Sequence, residues 1–563
     1  MKNHVCLSAV GSCLLVLASA CVPLQGAVAG KKFVVFGWEF GNASPSNILQ
    51  VVDSLDRLPI DGIGMYPRLT DRKGKPIKAK MMDQPALEWE DLEPWVPALR
   101  ELTSHRSMKE SFMKSICAPT NRIDWTDDAS WQRVSQTMRF LARLAREGGL
   151  KGVSVDDEDY HRQRQYYWRP GDPQYDRLCE IARQRGREVF SAMFAEYPDM
   201  TVFFFRFLTR SHEYGNSADL ESSCRTNGDL WPSFINGVLD VLPPTAKLVD
   251  GYEYGYRFDA ENNGYYRGNS FQKSRFVNLA APENRAKYFA QVSSAAAIYM
   301  DMYVNSEGKR WYSPPLNGSR TERFIANVTQ AAHAVDEYVW FWGERCCWAD
   351  WNGKMPPRKW MTFKKWTEEL PGIADALDLR RNPHRFATER LEALKRTGKF
   401  RPLNVNGECV RPEKVGSDGL SKPYSSWSDP THGNAGSFAF DVSTGEHDSS
   451  SLVAEGVSKG CFVVSSGSVK PGEIYIAGFS AKGNIVGGII YWKRDGKWDF
   501  SIPGQRVPML PADANGWKHG LTAVRIPDNA NGFAIQLSVR QDKGERCWFD
   551  NVFYCNAELA TEE

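Results

Sequence analysis

The chain reads as an α/β protein: a (β/α)8 TIM barrel followed by a C-terminal all-β jelly-roll sandwich. Three observations predict it. Between Lys31 and about Pro383, eight apolar, aromatic strand-like runs are each followed by an amphipathic helical stretch; near Ser437 the pattern changes to short alternating runs; and 563 residues exceed the size of one domain. The barrel strands are expected at 33–41, 61–67, 111–119, 151–157, 201–208, 247–254, 298–304 and 338–344. The helices between and after them are expected at 44–58, 91–103, 131–147, 175–197, 229–241, 282–297, 321–336 and 362–379. An open doubly wound sheet is the competing architecture, but its Gly-rich phosphate turn is missing from the sequence.

Residues 384–436, rich in Pro, Gly, Ser and charge, read as a linker. Seven strands follow at 437–442, 460–465, 473–480, 486–493, 523–527, 533–540 and 546–554, within a carbohydrate-binding-like β-sandwich over 437–556; 557–563 is a tail.

At the other end, 1–30 reads as a signal peptide, with Lys2 and His4 before a short apolar run. Ala18-Ser19-Ala20-Cys21 resembles a bacterial lipobox, which would lipidate Cys21, while Ala27-Val28-Ala29 offers a plain cleavage site. Both imply an exported protein, in the bacterial cell envelope or in the periplasm or outside the cell, with membrane attachment only through that lipid. Export permits disulfides, and Cys547 with Cys555 is a candidate bridge across the last domain. A formal charge of +2 without a basic run points away from nucleic acid. Nineteen Trp, 21 Tyr and 29 Phe suit a protein that stacks rings on sugars, and the expected partner is an oligo- or polysaccharide.

The segment LKGVSVDDEDY ends the fourth strand in Asp156, Asp157, Glu158 and Asp159. Strand alternation puts Asp156 and Glu158 on one face, and crowded carboxylates raise the pKa of at least one of them. In a barrel the active face lies at the C-terminal strand ends, where Glu39, Glu253, Asp301 and Glu344 also fall. Two such carboxyls suffice to cleave a glycosidic bond, with retaining and inverting chemistry both open, and no cofactor is required. Glu158 is the candidate proton donor with Asp156 beside it; Glu253 and Glu344 are the leading candidates for the second catalytic group. Asp157, Asp301, Glu39, Arg206, Tyr252, Tyr254, Trp340 and Trp342 are candidate substrate contacts, the two Trp being equally suited to filling the barrel. Arg206, isolated in FFFRFL, needs a carboxylate partner if buried.

Gly152, Asp156 and Glu158 match the DGxDxDxE signature, and here the segment resembles family 18 chitinases and related N-acetylhexosaminidases. The resemblance implies that Glu158 is the general acid, that Asp156 shares its proton and that the substrate amide is the nucleophile. The sequence departs from it at Lys151, Ser154 and Asp157. Over the whole of 31–383 the chain resembles barrel-type glycoside hydrolases. NGWKHGLTAVRIP, GFAIQLSVRQ and GERCWFDNVFY resemble carbohydrate-binding modules of the galactose-binding jelly-roll type. That resemblance implies sugar stacking on Trp492, Trp498 or Trp517 and a structural Ca²⁺ near Asp550. The expectation is an exported glycoside hydrolase. The alternative is a surface glycan-binding lipoprotein with a degenerate, non-catalytic barrel.

Overall fold

The computed structural model describes residues 30–558 apart from 42, 68–69, 72, 76, 78–80, 84–86, 160–161, 216, 218, 317, 353–360, 503 and 528. The leader with Cys21, and residues 559–563 of the tail, lie outside the described residues. Two compact units are present, Gly30–Phe386 and Ala387–Glu563.

The first unit is a closed barrel of eight parallel strands: β1 Lys32–Gly37, β2 Gly62–Met65, β3 Phe112–Ile116, β4 Gly152–Asp156, β5 Thr201–Phe204, β6 Lys247–Asp250, β7 Val292–Tyr299 and β8 Tyr338–Gly343. The first and last strands close the ring over six residue pairs, from Lys32↔Tyr338 to Gly37↔Gly343. Strand alternation sends Phe36, Phe112, Phe203 and Trp340 into the barrel interior, while a second set, including Val35, Ile63, Val153 and Phe341, packs outward against the helices. At Gly152 a Cβ would run into the Thr201 carbonyl oxygen, so only glycine allows β4 to approach β5 this closely.

The seventh strand differs from expectation. It lies at Val292–Tyr299, and the expected helix over 282–297 shrinks to a short turn and Arg285–Gln291. The run SSAAAI favours helix by local propensity, but barrel closure overrides it: Ala297 sits beside Trp340, small against large. Asp301 therefore falls on the turn Met300–Tyr303 after the strand. Expected helix 44–58 is split into Pro45–Leu49 and Val52–Asp56, and 362–379 into Trp366–Glu369 and Ile373–Arg381.

The second unit is a sandwich of β9 Tyr424–Ser428, β10 Ser437–Asp441, β11 Ser451–Glu455, β12 Gly460–Ser465, β13 Ile474–Lys482, β14 Ile485–Arg494, β15 Lys497–Trp498, β16 Gln505–Val507, β17 Trp517–Arg525, β18 Gly532–Arg540 and β19 Arg546–Asn556. One sheet runs β10-β11-β19-β13-β17; the other runs β15-β14-β18-β12-β9, with β16 paired to β14. Phe462, Phe479, Ile490, Leu537 and Phe549 fill the space between them.

Residues 384–436 are more than a linker. They carry most of the helix Pro383–Arg396 and the whole of β9. Between these, Leu403 donates its N–H to the Tyr554 carbonyl at 2.9 Å and Val552 donates to the Gly407 carbonyl at 2.9 Å. The segment is ordered by backbone pairing, which leaves no hydrophobic period in the sequence. The nine described cysteines are free thiols. Cys547 and Cys555 share β19, eight residues and roughly 27 Å apart along an extended strand, well beyond disulfide reach. Among the described residues no helix is long and apolar enough to cross a membrane.

Candidate active site

A cleft of about 320 Å³ opens at the C-terminal ends of the barrel strands; Asp156, Glu158, Arg206, Glu253, Tyr254, Trp342 and Glu344 line it, together with His212, Arg257, Arg310 and Trp311. Of the candidate catalytic residues, all four reach this cleft.

Asp156 is 1% exposed at the end of β4. One of its oxygens accepts the Glu158 N–H at 3.0 Å; the other pairs with the Lys114 ammonium at 2.9 Å. Lys114 stands on β3, fully buried, with Tyr66, Phe205 and Trp342 rings 4.3–4.7 Å from its nitrogen. Burial works against its charge, but Asp156 and Tyr66 outweigh that and hold its pKa above the ordinary lysine value. A buried cation and a buried anion here exist only as a pair.

Asp157 points the other way. Its two oxygens take Arg206 Nε at 3.0 Å and Arg210 Nε at 2.8 Å, and Arg210 extends to Asp229 at 2.7 Å. Expected as a substrate contact, Asp157 is instead the anchor that holds two arginines against the cleft. Asp250 braces the same loop by accepting the Phe207 and Thr209 N–H groups at 3.1 and 3.2 Å.

Glu253 follows β6, with Arg206 Nε 3.6 Å from its carboxyl. Burial, and then the charge of Glu158, push its pKa well above the ordinary glutamate value; Arg206 opposes this without cancelling it. The two glutamates therefore interact across one cleft, where burial and the Glu158 charge both favour the protonated form of Glu253.

On the eighth strand's side, Glu344 accepts the Trp342 indole N–H at 3.0 Å and donates its backbone N–H to Asp301 at 2.8 Å. Asp301 is buried, its pKa raised to about 7, and acts on the turn that presents Glu344 and not on the cleft. Trp342 lines the cleft; Trp340 is core, donating to the Gly251 carbonyl at 2.7 Å and stacked on Phe205. Tyr254 lines the cleft and lies 3.7 Å from the His212 ring, whereas Tyr252 is buried behind it, its hydroxyl 2.7 Å from His212 Nδ1. Burial lowers the His212 pKa to about 4, so this imidazole is neutral.

Glu39 also departs from expectation. It is 2% exposed and accepts three hydrogen bonds of 2.8 Å, from the Trp348 and Ala349 N–H groups and the Trp351 indole. Burial raises its pKa to about 7. It fastens the loop after β8 to the start of the barrel and makes no part of the cleft wall.

In the sandwich, Trp492 and Trp517 are buried, 4% and 2% exposed, and belong to the fold. The exposed rings among the described residues are Trp427, Trp498 and Phe500. Asp550 accepts the Glu446 and Asn551 N–H groups at 2.9 and 2.7 Å. The one cluster of three His, Cys, Asp or Glu with ligand spacing among the described residues is Asp53, Asp56 and His105. The two bonds it accepts make Asp550 an anchor for the backbone on either side of it.

Lys114, His212, Arg210, Arg257, Arg310 and Trp311 were not singled out from sequence. Lys114 had a legible signal: a lysine isolated in the apolar run FMKSI needs a buried partner by the same reasoning that singled out Arg206. The others sit on short 3₁₀ turns or loops after the strands, where no period marks which side chains converge.

No protein-family profile matches the chain, and no curated protein matches it. Among solved structures, a GH18 chitinase from Pseudoalteromonas aurantia is similar over 61% of this chain and 99% of its own, at 11% identity and a TM-score of 0.30. TmCBM61, solved with β-1,4-galactotriose, is similar over 28% of this chain and 99% of its own, at 16% identity and a TM-score of 0.20. The enzymatically active domain of tailspike protein 4 from bacteriophage CBA120 is similar over 28% of this chain, at 17% identity and a TM-score of 0.22; the chain spans only 21% of that domain's length.

Proposed function

We propose that the barrel is a glycoside hydrolase acting on an oligo- or polysaccharide, with Glu158 and Glu253 as its catalytic pair. One observation carries this reading. The two carboxyls line the same cleft and interact so that burial and the Glu158 charge favour a proton on Glu253. A protonated and an ionised carboxyl in one cleft supply the two functions glycosidic cleavage needs: a donor for the leaving oxygen, and an anion that attacks the anomeric carbon or draws a proton from water. Glu253 is then the donor and Glu158 the anion, the reverse of the assignment implied by the chitinase-like motif. Asp156, tied to Lys114, is a fixed anion in this scheme and holds Glu158 through its backbone N–H. Trp342, Tyr254 and Trp311 offer apolar faces for sugar rings.

The Lys114–Asp156 pair also favours a second reading, a glycan-binding barrel without chemistry, because a motif carboxylate neutralised by lysine is no proton store. The reading of the leader as an export signal, with Cys21 as a lipid acceptor, belongs to the same proposal. Incubating the protein with a panel of polysaccharides and identifying the released sugars tests it. Release that disappears in both Glu158→Gln and Glu253→Gln, with sugar binding retained, is the expected result. No release from any glycan that the protein binds would leave the second reading standing.

A further inference from the structure

The six-stranded sheet of the sandwich carries a groove of about 1650 Å³ on its outer face. The register lays out its floor. Ser425, Val463, Gln536, Ile489 and Arg506 lie side by side across β9, β12, β18, β14 and β16, and Trp427, Cys461, Ser538 and Gly487 form the adjacent row. Trp427, 53% exposed, stands at one edge; at the other, Trp498 and Phe500 stack with ring centres 6.0 Å apart. The crossing from β9 to β14 spans three strand spacings, roughly 14 Å, room for two or three sugar rings. A Cβ placed on Gly487 would meet nothing within 4 Å, so the floor is open there, and among the described residues the Gln536 and Ser538 side chains make no hydrogen bond.

The charge is one-sided. Lys459, Lys493, Arg506, Lys518 and Arg540 line the groove, and no Asp or Glu does. Lys459 has a partner outside the lining, Asp429 at 3.0 Å, but Arg506 and Arg540 form no ion pair among the described residues. Lys493 lies 4.7 Å above the Trp498 ring. Exposed rings beside unpaired guanidinium groups suit a ligand that is both flat and anionic.

We propose that this groove binds an acidic polysaccharide, its sugar faces on Trp427 and Trp498 and its carboxylate or sulfate groups on Arg506 and Arg540. The proposal rests on the glycan reading above and narrows it to a class. In the barrel cleft, whose lining also holds carboxyls, Arg257 and Arg310 lie beside a ring in the same way, 5.5 and 5.4 Å from the Trp311 ring centre, and neither is ion-paired among the described residues. Nucleic acid is the other polyanion to consider, but a groove of mixed apolar and polar floor with its rings at opposite edges, in a chain of net charge +2, offers few contacts to a continuous phosphate backbone.

The test is native electrophoresis of the full chain through gels containing polygalacturonate, dextran sulfate, neutral xylan, neutral galactan or single-stranded DNA. Retardation by at least one of the two acidic polymers is expected, weakening about tenfold between 50 and 300 mM salt, with retention lost in R506Q/R540Q at unchanged melting temperature. Polygalacturonate alone would assign carboxylates, dextran sulfate alone sulfates. Should the double variant melt early, R540Q and W427A, both at exposed positions, provide the same readout. Equal retention by xylan or galactan would overturn the charge class while leaving the glycan reading intact. Equal retention by DNA would overturn it in favour of a general polyanion site, and no retention by any glycan would remove both.

Discussion

The barrel cleft and the sandwich groove are both lined by aromatic rings, yet they handle charge in opposite ways. In the cleft, Glu158, Glu253 and Glu344 share one lining with Arg206, and burial drives Glu253 towards its protonated form. In the groove the charges are lysines and arginines, with no carboxyl among them. Catalysis by proton transfer needs a group whose protonation is finely balanced, so acids must be crowded and desolvated. Holding a ligand needs charges that do not change, which arginine supplies at any physiological pH. The difference separates a place suited to reaction from a place suited to retention.

The sharpest way to break this comparison is to neutralise the cleft. Glu253→Gln and Glu158→Gln should each lower the rate of glycan hydrolysis by about 10²–10⁴-fold, read from initial rates, with melting temperatures close to the parent. A variant of either that keeps a tenth of the activity would remove that residue from the pair. Next in size is Lys114→Met. It leaves Asp156 charged and alone in an apolar place, which should destabilise the barrel by about 3–5 kcal/mol in denaturant unfolding. Lys114→Met with Asp156→Asn should recover much of this loss.

The pH dependence comes third. Glu39 has a folded pKa of about 7, above its ordinary value of 4.5, so the folded state binds more protons than the unfolded one between those values. Its contribution to stability is complete below about pH 4.5 and is lost as pH rises through 7. Glu39→Gln should therefore flatten part of the fall in melting temperature between pH 5 and 8, measured against the parent. On the activity side, a proton donor at Glu253 makes the rate fall as pH rises through its elevated pKa, and a profile rising across that range would oppose the assignment. Smallest is the effect of the groove on the cleft's chemistry. R506Q/R540Q should leave the rate on short soluble oligosaccharides unchanged and slow only the attack on long polymers, as expected when a tethered binding unit supplies effective concentration.

Much of this was legible before the structure. Six of eight strands lie inside their expected windows, and the first begins one residue before its own, because buried parallel strands leave apolar runs bounded by turns. The seventh was displaced, since three consecutive alanines carry helix propensity and the reason for strand, the need for small residues beside Trp340, is a contact 43 positions away. At the site, strand parity correctly sent Asp156 and Asp157 to different surroundings, but it could not say that Lys114 faces the first and Arg210 the second. Trp492 and Trp517 illustrate the limit in another form. The resemblance named them with Trp498 as sugar platforms; they are buried, Trp498 on the two-residue strand β15 stands at one edge of the groove, and the ring at the other edge is Trp427, inside the expected linker. Exposure follows from which face each strand presents, and short edge strands leave too few residues to reveal it.

Glu39 carries one more consequence. A barrel is a strip of sheet whose two ends must be joined, and here the join lies between β1 and β8, at the start and finish of the unit. By gripping Trp348, Ala349 and Trp351, Glu39 acts as the clasp of that seam. Removing the chain beyond β8 would strip Glu39 of all three donors, so truncation there is expected to weaken the seam of the barrel itself and not only the segment removed.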